Sequence, residues 1–283
     1  MRASRRALLF LVVGLAVLTA LAAFPTDALV RRALERLPLP GGQRLEFVSA
    51  HLRPWGLRLD GVVLHRGEGL GPLRADWVRV RPALLGLVRG RRGFPWRAAV
   101  GICAGRIDLA LDAERTGFAL VTTFHDLDVA PCLQQFGAGS TWTGRLDGSA
   151  QLRFPTGTAP AGAGELRLRS ATWHPPMAWL DDTVFHVDRG LIRWTLAPEV
   201  LHLDLLDLRG SEVEILARGE TQLRSPLQES QLRLRVELTP MPGMPLQLRQ
   251  LLRTFPTPAS GPQVLLVSGP LRAPRVGPES SIR

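Results

Sequence analysis

The 283-residue chain has no lysine, no tyrosine and only two cysteines. With lysine absent, all 35 basic residues are arginine, and against 25 acidic residues they give a formal charge of +10. Uniform arginine, missing tyrosine and abundant Ala, Leu, Gly and Pro read as the coding bias of a GC-rich genome, so the charge is not in itself a functional signal. A nucleic-acid surface gathers its basic side chains on one face with aromatic stacking partners between them. Here most arginines stand singly in alternating stretches such as Leu166-Arg167-Leu168-Arg169, and the one dense run is Arg89, Arg91 and Arg92. That spacing suits the wet face of strands, with attraction to anionic lipid headgroups as the second reading. No nucleic-acid partner is expected.

Catalytic motifs are missing too. Cys103 and Cys132, 29 positions apart, form neither a Cys-x-x-Cys redox centre nor a zinc site. The histidines at 51, 65, 125, 174, 186 and 202 include no i,i+4 pair and no His-Glu-x-x-His arrangement. Asp126/Asp128 and Asp181-Asp182 are close acids that read as turn and cap chemistry. There is no Gly-x-Ser-x-Gly elbow. Gly162-Ala-Gly164-Glu-Leu-Arg167 begins like a dinucleotide fingerprint but lacks the third glycine and precedes a strand pattern. The expectation is a chain that is not an enzyme, with no catalytic residue, cofactor or metal.

What the sequence does contain is directional. Arg2, Arg5 and Arg6 precede a charge-free stretch from Ala7 to Thr26, apolar almost throughout as far as Phe24. At about 1.5 Å per helical residue that stretch spans a hydrocarbon core of roughly 30 Å. Positive residues stay inside, so residues 1–6 form a cytoplasmic tail, 7–26 a transmembrane anchor, and the rest lies in the periplasm of a Gram-negative cell. The competing reading is a cleaved signal peptide ending at Ala20-Leu21-Ala22. The apolar run exceeds the usual h-region of about 7–15 residues, which favours a single-pass inner-membrane anchor. An oxidising periplasm allows Cys103 and Cys132 to pair, closing a loop worth roughly 3–4 kcal/mol. Two buried thiols acting as small hydrophobes are the alternative, and spacing does not choose between them.

Residues 27–40 read as an amphipathic helix and linker. Thr26 or Asp27 can cap a helix with Leu29, Val30, Ala33, Leu34 and Leu37 on one side, stopped by the segment from Pro38 to Gly42. Such a helix lies along the membrane surface or caps the first strand. From 41 to 276 period-2 alternation dominates, clearest at 57–60, 106–111, 146–154, 201–204 and 231–238. Only Pro82 to Val88, Val129 to Phe136 and Leu246 to Thr254 read as helical. The small-residue stretch 155–164 is expected to be an internal loop and 277–283 a disordered tail. The seven tryptophans, at 55, 77, 96, 142, 173, 179 and 194, stand near strand starts or turns and suit core or rim packing. Three short helices cannot cover a dozen one-sided strands. Such a sheet folds into a sandwich or curls into a gutter whose apolar face meets lipid or protein, and its open edges invite strand addition.

Three passages carry a family resemblance. Val78 to Gly90 (VRVRPALLGLVRG), followed by Ala104 to Leu111 (AGRIDLAL), resembles the strand, short helix and Gly-x-Ile-x-Leu strand of AsmA-like periplasmic proteins. Gly219 to Leu234 and Val267 to Pro274 resemble the C-terminal strands of type II secretion system protein N (GspN), in the form with an AsmA-like body. The resemblance implies a mainly β fold, an elongated curled antiparallel sheet with a few short helices behind one N-terminal transmembrane helix. It also implies an accessory role in protein secretion, with other type II secretion components and inner-membrane lipids as partners. AsmA-like relatives are associated with moving lipid between membranes, which offers a lipid ligand in an apolar groove as the alternative. No catalytic residue carries over from this family.

Overall fold

A computed structural model describes residues 26–35, 43–53, 56–66, 71–82, 96–114, 116–135, 141–174, 184–224, 229–246, 249–250 and 262–278. The described chain is mainly β. After helix α1 (Thr26–Glu35) come β1 (Arg44–Glu46), β2 (Ser49–Arg53), β3 (Gly56–His65), β4 (Leu73–Pro82), β5 (Trp96–Ile102), β6 (Gly105–Glu114) and β7 (Gly117–Asp128). Helix α2 (Val129–Gln135) leads into β8 (Trp142–Pro155), β9 (Ala161–Trp173), β10 (Phe185–Ala197), β11 (Val200–Arg209) and β12 (Val213–Gln222). The chain closes with β13 (Gln231–Pro240), β14 (Gln263–Pro270) and β15 (Arg275–Pro278).

All the described strands belong to one antiparallel sheet. From β3 onward each pairs with the next in sequence, and β1 and β2 share the outer side of β3. The order follows from short connections: Cys103 and Ala104, both at φ 53, make the two-residue turn that joins β5 to β6. Positive φ at both central positions matches the natural twist of paired strands.

Alternating residues fall on two chemically opposite faces. One cross-strand row reads Leu59, Val78, Val100, Ile107 and Phe124, then continues through Leu166, Ile192, Leu206, Ala217, Val236 and Leu265. Gly148 sits in that row between Phe124 and Leu166. Gly61, at φ 60, breaks the alternation within β3, so that Leu59 and Val62 both reach the same buried cluster.

Two packed clusters lie on the apolar side. The first joins Phe47, Ala50, Leu59, Val62, Ala75, Ile102, Cys103 and Leu127, with Val30 of α1 and Cys132 of α2 against it. The second joins Leu168, Ala171, Val187 and Leu208, with Val129 of α2 against it. Leu146 touches both, so the two form one band across the sheet. Asp27 fixes α1 by accepting the Ala50 N–H at 2.6 Å, and Arg31 stacks on Phe47 at 5.1 Å.

Some sequence expectations need correction. Of the loop expected over 155–164, Pro155 ends β8, 156–160 make the turn and Ala161 already begins β9. The small residues there serve packing: a Cβ on Gly162 would meet Leu152 at 2.7 Å, and one on Gly164 would meet the Trp194 indole at 2.6 Å. The disordered tail expected from 277 is also shortened, because Gly277 and Pro278 pair with Leu266 and Leu265 in β15. Thr26, assigned to the anchor, opens α1. Pro82 closes β4. The remainder of the helix expected over 82–88 lies outside the described residues, as do the linker from 36 to 40 and most of 246–254.

Candidate functional site

The face opposite the core is built of charge ladders. On β6 to β12, neighbours two apart on one strand or facing across to the next present arginine and carboxylate side by side. Arg106 binds Asp108, which His125 also meets at 3.2 Å. Glu165 receives both Arg167 and Arg193, at 2.7 and 2.8 Å. Asp147 receives the Arg169 guanidinium and the Asp126 backbone N–H. Arg209 holds Asp207 at 2.9 Å and Glu214 at 3.1 Å. These contacts set the local proton affinities. The Asp126 N–H and then Arg169 hold the Asp147 carboxyl below its ordinary range, and Arg193 with Arg167 does the same to Glu165. Asp207 raises Arg209.

In the middle of this face, register sets Arg145, Arg169, Arg189 and Arg209 directly opposite one another across four strands. An open groove of about 760 Å³ runs there, lined by Asp147, Arg167, Arg169, Arg189, Leu191, Asp207 and Arg209, with Leu168 and Gly190 beneath. Like charges directly opposite destabilise a sheet. The flanking carboxylates offset this for Arg145, Arg169 and Arg209.

The apolar face is covered unevenly. α1 and α2 pack over the clusters near the β5–β6 turn. Towards the opposite strand ends, the Trp96, Leu111, Leu120 and Leu152 register row continues through Leu196, Leu201 and Leu232. Trp96 is 43% exposed and Phe118 41%, the latter stacked on Phe154 at 4.6 Å. Among the described residues neither helix packs against this end.

Cys103 and Cys132 form a disulfide with Cα atoms 5.3 Å apart. It ties the β5–β6 turn to α2, and the Asp128 N–H donates to the Cys103 carbonyl at 2.8 Å beside it. Four of the predicted surface histidines meet carboxylates: His51 with Asp60, His65 with Glu46, His125 with Asp108 and His186 with Glu212. Each pair sits apart from the others, and among the described residues no three metal-ligating side chains converge. Trp142 stacks on Trp173 at 5.6 Å and Phe185 tilts against Trp173 at 5.3 Å, across β8, β9 and β10, and Trp194 covers Gly164. Trp55, Trp179 and Asp181-Asp182 lie outside the described residues, as do Arg2, Arg5, Arg6 and the apolar run to residue 25. Among the described residues no helix is long and apolar enough to cross a membrane.

Sequence reasoning missed the opposed arginines, since the strands that carry them are far apart in sequence until register is known. It also missed a second arginine group around Trp77. Its signal was present, because Trp77, Arg79 and Arg81 alternate on one face of β4. No protein-family model, no curated protein and no solved structure matches this chain.

Proposed function

We propose that the chain is a non-enzymatic accessory component of the type II secretion system, anchored in the inner membrane by its N-terminal apolar run and acting in the periplasm through protein contacts. The observation that carries this reading is the single, one-sided sheet. Its apolar face is backed by helices at one strand end and half-exposed at the other, and a face of that kind gains free energy by taking a partner. The GspN-like passages support the particular assignment. Their described residues fall in this same sheet: in β4 and β6, in the paired β12 and β13, and in β14 with the turn after it. β5 stands between the first two, an element the family-like pattern did not suggest.

The test is made in the native envelope with the full chain. A photo-crosslinking residue at Leu120 or Leu201 should capture named secretion components, whereas one at His51 on the wet face should not. Deleting the gene should leave the secreted enzymes stranded in the periplasm. Unchanged export after deletion would refute the secretion role.

A second reading has its own support. The row from Leu59 to Leu265 crosses from β3 to β14 with Gly148 its one position without a side chain, which suits an acyl chain lying across the strands in an AsmA-like lipid-binding or lipid-transfer protein. Crosslinks at Leu120 and Leu201 that contain phospholipid alone, with export intact, would favour this alternative.

A further inference from the structure

We propose that an arginine patch over β2 to β5 is a binding site for a phosphate-type oxyanion, carried by a lipid headgroup or as free phosphate. Register builds the patch. Arg58 stands directly opposite Arg79, and Arg81 directly opposite Arg97. Arg53 is opposite Gly56, and the Arg81 stem lies against that glycine, where a Cβ would come within 3.0 Å of Arg81 Cγ. Arg53 and Arg81 therefore flank the same point.

Opposed like charges cost stability unless something answers them. In the ladders of β6 to β12, carboxylates do so for Arg145, Arg169 and Arg209. Here Asp60 is taken by Arg58 at 2.8 Å, and Asp108 by Arg106 and His125. Asp112, the next carboxylate along the wet face of β6, is engaged as well. Arg53, Arg79, Arg81 and Arg97 meet no carboxylate among the described residues.

Arg79 sits deepest. Its guanidinium and that of Arg58 each lie 5.7 Å from the Trp77 ring, whose π-face partly neutralises both. The Arg79 Nε is buried without a hydrogen-bond acceptor. Burial first, then the neighbouring Arg81, Arg53, Arg58 and Arg106, push its pKa down. A phosphate group suits such a cluster: it offers more acceptor oxygens than a carboxylate, and they take guanidinium forks from more than one side.

The patch is also near α1, the helix that follows the apolar run in sequence. Asp27, three residues beyond Phe24, is bonded to Ala50, and Arg53 lies three strand residues further, about 10 Å along β2. A headgroup source is thus within reach, but the proposal does not depend on the secretion reading, because the assay needs no partner protein.

The test is calorimetric titration of the full chain in nonionic detergent with inorganic phosphate, dihexanoyl-phosphatidylglycerol, dihexanoyl-phosphatidylcholine and acetate. Saturable binding of phosphate or of the glycerol lipid is expected. It should weaken at least about tenfold in Arg81→Gln/Arg97→Gln, whose exposed side chains can change without loss of the sheet signal in circular dichroism. Arg193→Gln, outside the patch and paired with Glu165, should bind as the parent does. Binding of the glycerol lipid alone names a headgroup as the source, and equal binding of phosphate names the free anion; both sustain the site. No saturable binding of either, equal binding of acetate, or affinity unchanged in the double variant would overturn it.

Discussion

Glu212 shows how a single side chain on the wet face becomes structural. It is nearly buried, with 12% of its side chain exposed, and accepts the His186 backbone N–H and Nδ1, both at 2.9 Å, and the Ser211 hydroxyl at 2.8 Å. Burial alone would push its carboxyl up, but the His186 backbone N–H, the imidazole and the Ser211 hydroxyl outweigh it, and the pKa falls below the ordinary value. A carboxyl with a lower pKa folded than unfolded contributes stability that is complete above its unfolded value, about 4.3, and is lost as pH falls through the folded value. Urea unfolding of the parent should therefore give a steady midpoint from pH 7 down to about pH 5 and a falling one below it. In Glu212→Gln the acid decline should be shallower, because one group that must take up a proton has been removed. An identical pH profile in the variant would show that the His186 contact does not couple to folding. Nothing in the sequence around Glu212 marks this role, since His186 lies 26 positions away.

Elements were far more legible than residues. Period-2 alternation located strands at 57–60, 106–111, 146–154, 201–204 and 231–238, all of which fall inside β3, β6, β8, β11 and β13. Alternation reports which face a side chain takes, and that survives any choice of neighbours. Gly162 and Gly164 were misread as loop for the opposite reason: their smallness answers Leu152 and Trp194 on the flanking strands, and composition alone carries no register. The disulfide is a similar case, because sequence supplied two cysteines and no distance. In the fold it joins a β-turn in the left-handed region to a helix of seven residues, too short to hold its place by its own hydrogen bonds. Cys132→Ser, or reduction of the parent, should destabilise the chain by about 3–4 kcal/mol in the chain-entropy model. Denaturant midpoints with and without reductant measure the loss, and thiol titration of the unreduced protein should find no free sulfhydryl. A midpoint insensitive to reductant would mean that the first apolar cluster alone seats α2.

At the scale of the whole molecule, alternation raised a choice between a sheet folded over as a sandwich and one curled into a gutter, and pairing order adds what alternation lacks, the continuity of the sheet. A repeated one-sided pattern is the same in both, whereas the described strands form one sheet whose path runs from β1 to β15. That order has a thermodynamic consequence. From β4 onward each described strand pairs only with its sequence neighbours, so stability is a chain of nearest-neighbour terms, as in solenoid proteins, rather than one cooperative core. The terms are unequal. β5 to β8 hold the disulfide, α2 and much of the first cluster, whereas β13 to β15 lie outside both packed clusters and finish in a strand of four residues. Native-state hydrogen exchange should therefore find graded protection, highest from β5 to β8 and lowest from β13 to β15. Val236→Ala, in the middle of β13, should speed exchange in β12, β13 and β14 and leave β5 to β7 unchanged, because the perturbation has several interfaces to cross. A uniform loss of protection along the whole sheet would instead show that the strands unfold as one unit. In that case the half-exposed apolar face would be held by something more cooperative than neighbour pairing, and a bound partner spanning many strands is the kind of object that supplies it.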